Sequence, residues 1–374
     1  MINKNGHISV LLPEASITHT TSLVNCLSEQ RNVDIYVISN INYVGFRCST
    51  KITNFAYYPE TNSEIDWLGN IEKELKKHSI DLVIPIDTYG VKTLIKYRNK
   101  VSFSNKIGLL PNIESFNIAD NKALLTHHML EYSIPFPKTY YYTKEELLLN
   151  VIEDFPVLIK PIQDCGGGSD IIKFNDFKEL KQYLLNNELD FKFIIQDYIK
   201  GYDIDCSVLC EKGEVLAFTI QKGFLSGERE FSPPDGVEFL YVEKLYDVVK
   251  KIMKTLNWSG VAHIDMRFDE KDVTYKIIEI NPRFWVSLDA SVASGVNFAY
   301  LYTLKSLKLD FPRVSYNHIR YLNLFGLMNS IRGNKLFIFN LRFIMKFTPI
   351  RFYIKDPIPF LYIVFYKFKS LFRV

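Results

Sequence analysis

The sequence has few of the features that define several protein classes. Its 374 residues include only five cysteines, with no CxxC pair. This excludes a disulfide scaffold and a cysteine-rich zinc site, and free thiols favour a cytoplasmic location. No stretch reaches the roughly 20 apolar residues of a membrane-spanning helix. The first apolar run, 8–12, is too short for the hydrophobic region of a signal peptide.

Neither sign of charge dominates most of the chain. Residues 1–312 carry 34 basic and 41 acidic side chains, whereas residues 313–374 carry 11 basic side chains and a single acidic one, Asp356. A mildly acidic body with a short cationic tail argues against a general nucleic-acid-binding protein. The 47% of apolar residues is ample for ordered cores, and the length corresponds to two or three domains.

Apolar runs alternate with helical patterns in the first 115 residues. The runs lie at 7–13, 33–39 and 81–86, with helical stretches at 20–30 and 65–78. Continuous apolar strands between helices predict a parallel sheet covered on both faces, in a Rossmann-like domain over residues 1–115. The turn after the first strand has no GxGxxG sequence, so we expect this domain to shape a cleft rather than bind a dinucleotide.

The pattern changes after Pro111, where short strands mix with helices. This mixture predicts an α+β arrangement with antiparallel sheets. The predicted helices are 119–132, 177–186 and 242–257, and the predicted strands are 157–160, 170–174, 193–199, 203–209, 215–221, 261–268 and 275–280.

Two of these strands place polar side chains on one face. His263, Asp265 and Arg267 alternate with apolar residues, as do Glu279 and Asn281. Side chains two residues apart in a strand share a face. If the strands pair, Asp265, Glu279 and Asn281 converge as three oxygen ligands, the type that Mg²⁺ prefers. Either strand by itself is also compatible with an ordinary solvated sheet face.

A glycine-rich segment follows another predicted strand. Lys160 ends the strand, and Gly166, Gly167, Gly168 and Ser169 come shortly after it. Glycines let backbone N–H groups approach phosphate oxygens, and a lysine supplies a point charge for phosphate. The segment lacks the GK[ST] ending of a Walker A loop. A flexible hairpin turn is the alternative interpretation.

Taken in order, these pieces resemble the ATP-grasp superfamily, whose members include the carbamoyl-phosphate synthetase large chain, biotin carboxylase and D-alanine–D-alanine ligase. The resemblance is carried, between about residues 111 and 309, by Lys122, Lys160, GGGS, QDYIKGYDID, HIDMR and EINPRF. Within the superfamily, the sequence most resembles the carbamoyl-phosphate-synthetase-like carboxylate ligases. The implied fold is α/β plus α+β: the Rossmann-like parallel sheet, then an ATP-grasp domain at 116–310 whose two subdomains clasp nucleotide between antiparallel sheets, then an extension at 311–374.

The resemblance also implies roles for individual residues. The phosphates of ATP would be contacted by Lys122, Lys160 and the loop Gly166, Gly167, Gly168 and Ser169. Adenine and ribose would be contacted by Gln196, Asp197, Ile199 and Asp203. The metal ligands would be Asp265, Glu279 and Asn281, and the catalytic residues Arg283 and Lys160. Lys222, at the expected edge of the cleft, has even odds of being a ligand residue.

Two departures from the family pattern affect these roles. His263 stands where D-alanine–D-alanine ligase has an arginine, which leaves the acceptor side open. Gln196 replaces a frequent glutamate, which puts the pattern of adenine contacts in doubt.

The implied activity is that of an ATP-dependent ligase. It would activate a carboxylate as an acylphosphate for attack by an amine or a similar nucleophile, with ATP and Mg²⁺ (Mn²⁺ is the alternative) as cofactors. Both substrates would be small molecules, and whether the chain forms a homodimer stays open. The alternatives are a phosphotransferase on the same fold and a catalytically silent nucleotide-binding component. Intact Glu279, Asn281 and Arg283 argue against the silent component.

The cationic tail contains 15 Phe or Tyr residues among its 62. Basic and aromatic residues together suit the headgroup region of an anionic membrane. The alternatives are a subdomain that packs on the body of the protein and a surface for a protein partner. We favour peripheral membrane contact as the sequence-based expectation.

Overall fold

A computed structural model describes residues 6–15, 18–42, 45–140, 152–163, 170–187, 192–309, 313–362 and 365. The predicted phosphate loop, Gly166 to Ser169, lies outside the described residues. Within them the strands form three sheets, one parallel and two antiparallel, which confirms the predicted fold class.

The first sheet is the parallel one. Its strands are β1 (Ile8–Leu12), β2 (Val33–Ser39), β3 (Asn54–Tyr57) and β4 (Leu82–Val83), in the order β3-β2-β1-β4. Val10 and Leu12 of β1 pack in one core cluster, and Leu11 packs in another. Both faces of β1 are therefore buried, which explains its unbroken apolar sequence. The helices of this region are Thr18–Ser28, Glu64–His78 and Thr88–Tyr97.

The second sheet is small and antiparallel. It contains β5 (Thr139–Tyr140), β6 (Val157–Pro161), β7 (Ile172–Phe174) and β8 (Phe193–Asp197), in the order β5-β8-β6-β7. Helix Phe177–Asn186 packs against it through Leu180 and Leu184. Helix Lys122–Glu131 begins next to this sheet, because the backbone N–H of Lys122 donates to the carbonyl of Ile162, 3.1 Å away, just beyond β6.

The third sheet has six strands in the order β13-β12-β9-β10-β11-β14. They are β9 (Gly201–Glu211), β10 (Glu214–Leu225), β11 (Gly236–Phe239), β12 (Gly260–Asp269), β13 (Thr274–Asn281) and β14 (Arg320–Leu322). Helix Glu243–Thr255 packs its apolar side chains against Ile204 and Ile264 of this sheet. One face of the large sheet is thereby covered, and the alternate residues of β9 and β12 point to the other face.

The remaining α-helices are Ile113–Ala119, Leu288–Ser294, Phe298–Ser306, Leu324–Gly333, Leu341–Phe347 and Ile350–Lys355, and the 3-10 helices are Gly45–Cys48, Ser104–Lys106 and Lys335–Phe339. Part of the cationic tail belongs to the body, because β14 pairs with β11 and Phe352 is buried. The domain boundaries at 115 and 310 stay predictions. Among the described helices none combines the length and the apolar character needed to cross a bilayer.

Candidate active site

Three oxygen-bearing side chains meet on the open face of the large sheet. The antiparallel register of β12 and β13 sets Asp265 opposite Glu279 and His263 opposite Asn281. Asn281 Nδ2 lies 3.2 Å from Asp265 Oδ2 and 3.3 Å from Glu279 Oε1. The structure thus brings together the three predicted metal ligands, and their binding of a metal stays a prediction.

The two carboxyl groups of this cluster differ in charge. Burial, and then the negative charge of Glu279, raise the pKa of Asp265 well above its ordinary value. Burial also opposes ionisation of Glu279, but the Lys122 ammonium, 2.8 Å from Glu279 Oε2, lowers the pKa of Glu279. The two shifts favour a proton on Asp265 beside an ionised Glu279. A divalent cation can replace that proton as the positive charge between the two groups, so this donor set fits Mg²⁺.

Two lysines face the carboxylates from the neighbourhood of the small sheet. Lys122 is the first residue of its helix, which begins there because the Asn121 side chain accepts hydrogen bonds from the N–H groups of Ala123 and Leu124. Lys160, on β6, is buried, and its Nζ donates to Gln196 Oε1 at 2.8 Å. Burial lowers the pKa of Lys160 to about 8, against the attraction of Glu279.

The residues predicted to contact adenine lie along β8 and just after it. Gln196 accepts from Lys160 and donates to Thr139 Oγ1 at 3.1 Å. Asp197 has a buried Oδ1 without a hydrogen-bond partner among the described residues, and burial raises its pKa. The carbonyl of Ile199 accepts from Arg267 Nε at 2.8 Å. Of the three, Gln196 contacts Lys160 directly, and the contact of all three with adenine stays a prediction.

Asp203, the predicted ribose ligand, lies at the open edge of the same face. Its side chain is 65% exposed and forms an ion pair with Arg267. The register sets Asp203 opposite Arg267, and Asp205 opposite Asp265. Asp205 therefore faces the three predicted metal ligands Asp265, Glu279 and Asn281, which we call the metal-ligand cluster. The sequence pattern alone does not decide this orientation of Asp205, because a solvated strand shows the same alternation. Burial raises the pKa of Asp205 to about 8.

Lys222, which the sequence analysis gave as a candidate ligand residue, does not lie beside Asp265, Glu279 and Asn281. Register pairs Gln221 with Asp205 and Lys222 with Ile204. Directly opposed residues share a face, so Lys222 lies on the helix-covered face, where its Nζ is 3.5 Å from the centre of the Tyr202 ring. This corrects the prediction: Gln221 is the β10 residue that faces the site. Its Oε1 is buried with no described hydrogen-bond partner.

Arg283 connects the cluster with the parallel sheet. Its Nη2 lies 3.4 Å from Asn281 Oδ1, its Nε lies 3.3 Å from Asp87 Oδ1, and its Nη1 donates to His19 Nε2 at 3.1 Å. Burial, then the charge of Arg283, lower the pKa of His19 to about 4, so this histidine is a neutral acceptor. Sequence analysis missed Asp87 and His19 because both are far from Arg283 along the chain.

Asp87 stands at the carboxyl end of the parallel sheet, where ligands of open α/β sheets bind. Glu14, after β1, holds this edge in place. Its carboxyl oxygens accept from the backbone N–H groups of Ile86, Asp87 and Gly90 at 2.7, 3.2 and 3.0 Å. Burial raises the pKa of Glu14 to about 7. The edge thus presents Asp87, 37% exposed, towards Arg283.

His263 borders the metal-ligand cluster. Its Nε2 lies 3.2 Å from Asp265 Oδ1, its Nδ1 lies 2.9 Å from Ser207 Oγ, and its ring stacks on Trp285. Burial, then the charge of Arg283, lower the pKa of His263 to about 3, which keeps the imidazole neutral. One ligand atom each from Asp205, His263 and Asp265 lie within 4.8 Å of one another, so His263 and Asp205 extend the set of donors beside Asp265.

Comparison with known proteins assigns the central part of the chain to a family of domains. The sequence profile that matches is described as ATP-grasp domain. Residues 119–287 match this ATP-grasp domain family. This confirms the resemblance inferred from the separated motifs.

Three curated relatives match part of the chain. D-aspartate ligase of Enterococcus faecium (strain Aus0004) is 28% identical over 46% of this chain and 46% of its own length. D-alanine–D-alanine ligase of Wolbachia pipientis wMel is 28% identical over 48% of this chain and 62% of its own length. The carbamoyl phosphate synthase large chain of Methanobrevibacter smithii is 23% identical over 69% of this chain and 25% of its own length. The chain thus spans about half the length of the first of these relatives.

A solved structure extends the likeness of fold to most of the chain. N5-carboxyaminoimidazole synthetase from Staphylococcus aureus, complexed with ADP, has a TM-score of 0.67 and covers 88% of this chain and 85% of its own. The sequences are 11% identical, so the likeness shows the fold alone.

Proposed function

We propose that this protein is an ATP-dependent, ADP-forming ligase that joins a carboxylate to an amine or a similar nucleophile. One observation carries the proposal. Asp265, Glu279 and Asn281 of the large sheet lie close to the ammonium groups of Lys122 and Lys160, and Lys122 contacts Glu279 directly. Oxygen ligands on one side and ammonium groups on the other suit a metal-bound triphosphate between them.

Asp265, Glu279 and Asn281 would hold Mg²⁺, with Mn²⁺ as the alternative. The bound ion would neutralise phosphate charge during transfer. The carboxamide of Asn281 can offer Oδ1 in place of Nδ2 by rotating, and this would replace its present hydrogen bonds to the two carboxyl groups.

The protein's own cations would position the phosphoryl group. Phosphoryl transfer is catalysed mainly by alignment and by neutralisation of charge. Lys122 and Lys160 would contact phosphate oxygens on the nucleotide side. Arg283 lies between Asn281 and Asp87, so it would hold the acceptor carboxylate where the cluster meets the edge of the parallel sheet. The acylphosphate formed there would react with the nucleophile and release phosphate.

An amino acid is the substrate class that we favour for at least one of the two substrates. Asp87 offers a partly exposed negative charge to an ammonium group, beside the Arg283 guanidinium, which suits a carboxylate. The names of two relatives, D-aspartate ligase and D-alanine–D-alanine ligase, agree with this choice.

ADP release tests the proposal against its alternatives. The chain would be incubated with Mg·ATP and a panel of amino acids, as single compounds and as pairs. We expect turnover that depends on a carboxylate and an amine together, with one ADP and one phosphate formed per amide. Turnover with one compound and a stable phosphorylated product would indicate a phosphotransferase instead. Absence of turnover with every pair, despite nucleotide binding, would indicate a silent component.

Nucleotide affinity should fall above pH 8. Burial lowers the pKa of Lys160 to about 8 in the free protein, and a bound phosphate favours its charged form and raises that pKa. Binding above pH 8 therefore requires uptake of a proton, and the Kd for ATP should rise up to about tenfold per pH unit. Calorimetric titrations from pH 7 to pH 9.5 would measure this.

The matched control for this prediction is Lys160→Arg, whose guanidinium stays protonated throughout. If the variant binds ATP, its Kd should change little over the same pH range. The same pH dependence in both proteins would show that another group titrates and would exclude Lys160 as the cause.

A further inference from the structure

The tail exposes large apolar side chains to an unusual degree. Eleven of the 24 exposed large hydrophobic residues of the described chain lie between Phe325 and Phe365. The two highest fractions are 76% for Phe339 and 72% for Leu336, and nearby Leu341 is 65% exposed. Scattered exposed apolar residues are normal, but a dense group marks an interaction surface.

The densest part is a folded corner rather than a frayed end. The 3-10 helix Lys335–Phe339 meets helix Leu341–Phe347 at Asn340, whose N–H donates to the Phe337 carbonyl at 3.0 Å and whose Oδ1 accepts from the Phe343 N–H at 3.3 Å. The rings of Phe337 and Phe343 contact each other across this corner, with centroids 5.5 Å apart. This turn leaves four apolar side chains exposed, which we call the apolar corner: Leu336, Ile338, Phe339 and Leu341.

Charges of one sign surround the apolar corner. Arg332, Lys335, Arg342 and Lys346 are exposed, and none forms an ion pair with a described residue. By contrast, two other basic residues of the tail, Arg320 and Lys355, pair with acidic residues of the body. The tail's single acidic residue, Asp356, is buried and bonds to Ser49. The cations around the apolar corner are therefore exposed to an external partner.

We propose that the apolar corner docks on the surface of an anionic lipid bilayer. Its apolar side chains would enter the boundary between headgroups and acyl chains, and the four surrounding cations would contact anionic headgroups. A protein partner is less well matched, because it would need acidic groups at positions that match all four cations. Strand β14 and buried Phe352 fix the tail to the body, so docking would hold the ligase domain at the membrane.

Co-sedimentation of the full chain with vesicles tests this proposal. We expect pelleting with phosphatidylcholine vesicles that contain about one third phosphatidylglycerol, and little pelleting with phosphatidylcholine alone. Leu336→Ala with Phe339→Ala should lower the partition coefficient about tenfold or more, because both lose inserted apolar area. Arg342→Glu with Lys346→Glu should lower it at least about 25-fold, since each headgroup-facing cation contributes about a fivefold factor.

The control variants carry substitutions of the same kinds on a helix outside the tail. Leu185→Ala removes an exposed leucine of helix Phe177–Asn186, and Lys178→Glu with Lys181→Glu reverses two exposed charges on that helix. The controls should pellet like the unaltered protein, and every variant should keep its affinity for Mg·ATP. Equal pelleting of the tail variants and the controls, or no pelleting of the unaltered protein, would overturn the proposal. Self-association in solution that Phe339→Ala abolishes, without vesicle binding, would assign the surface to a second copy of the chain instead.

Discussion

Replacing Glu279 with alanine should reduce ATP turnover by at least about 10³-fold while the fold stays intact. Glu279 is the carboxylate that Lys122 pairs with and that Asn281 contacts, so its removal takes away the centre of the charged cluster. The side chain lies at the end of β13 on the open face of the sheet, outside the core clusters. ADP release with the most active substrate pair would measure the loss, and circular dichroism would check the fold.

A nearby acidic residue provides the control for this prediction. Glu270 lies in the turn between β12 and β13 and is exposed, so Glu270→Ala changes one carboxylate of the same hairpin without touching the cluster. Its turnover should equal that of the unaltered protein. If Glu279→Ala turned over ATP as fast as Glu270→Ala, Glu279 could not be a ligand of the catalytic metal ion.

Replacing Arg283 with alanine should separate catalysis from nucleotide binding. The guanidinium contacts Asn281 on one side and His19 and Asp87 on the other, so it lies between the nucleotide side and the edge of the parallel sheet. Loss of a positioned charge of this kind lowers kcat by about 10²- to 10³-fold. The Kd for Mg·ATP should stay within about twofold, since Lys122 and Lys160 remain. Steady-state kinetics and calorimetry on one preparation would measure the two quantities.

Arg283→Lys refines this test. Lysine keeps the charge but cannot reproduce a planar group with several donors, so kcat should lie between that of the unaltered protein and that of Arg283→Ala. If Arg283→Ala weakened ATP binding as much as it lowered kcat, the arginine would belong to the nucleotide side. An unchanged kcat would exclude it from the site.

The metal-ligand cluster could be predicted because its geometry is local. Asp265, Glu279 and Asn281 belong to two strands joined by a short turn, and an alternation of period two assigns each side chain to a face. For β10, Lys222 is expected to be a ligand residue because it ends a strand at the edge of the cleft, but the register turns Gln221 to the site instead. Nothing in that sequence shows whether Gln221 or Lys222 lies opposite Asp205, and a shift by one residue exchanges the two faces.

Contacts between distant segments could not be predicted from residue spacing. Lys122 pairs with Glu279 and Arg283 pairs with Asp87, and each pair joins residues that are more than 150 positions apart in the sequence. The tail shows a similar limit. Its basic and aromatic composition was evident, but the pairing of β14 with β11, like the outward direction of Phe339, depends on packing.

The central claim is tested most directly by calorimetric titration of the full chain with ATP under two conditions. One titration contains Mg²⁺, and the other contains an excess of chelator. The claim is that the cluster at Asp265, Glu279 and Asn281 holds a divalent ion opposite Lys122 and Lys160 with the triphosphate between them. It predicts that ATP binds in the presence of Mg²⁺ and that the chelator weakens this binding strongly. In the Glu279→Ala variant, ATP binding should no longer depend on Mg²⁺. Absence of nucleotide binding, or equal binding with and without Mg²⁺ in the unaltered protein, would contradict the claim.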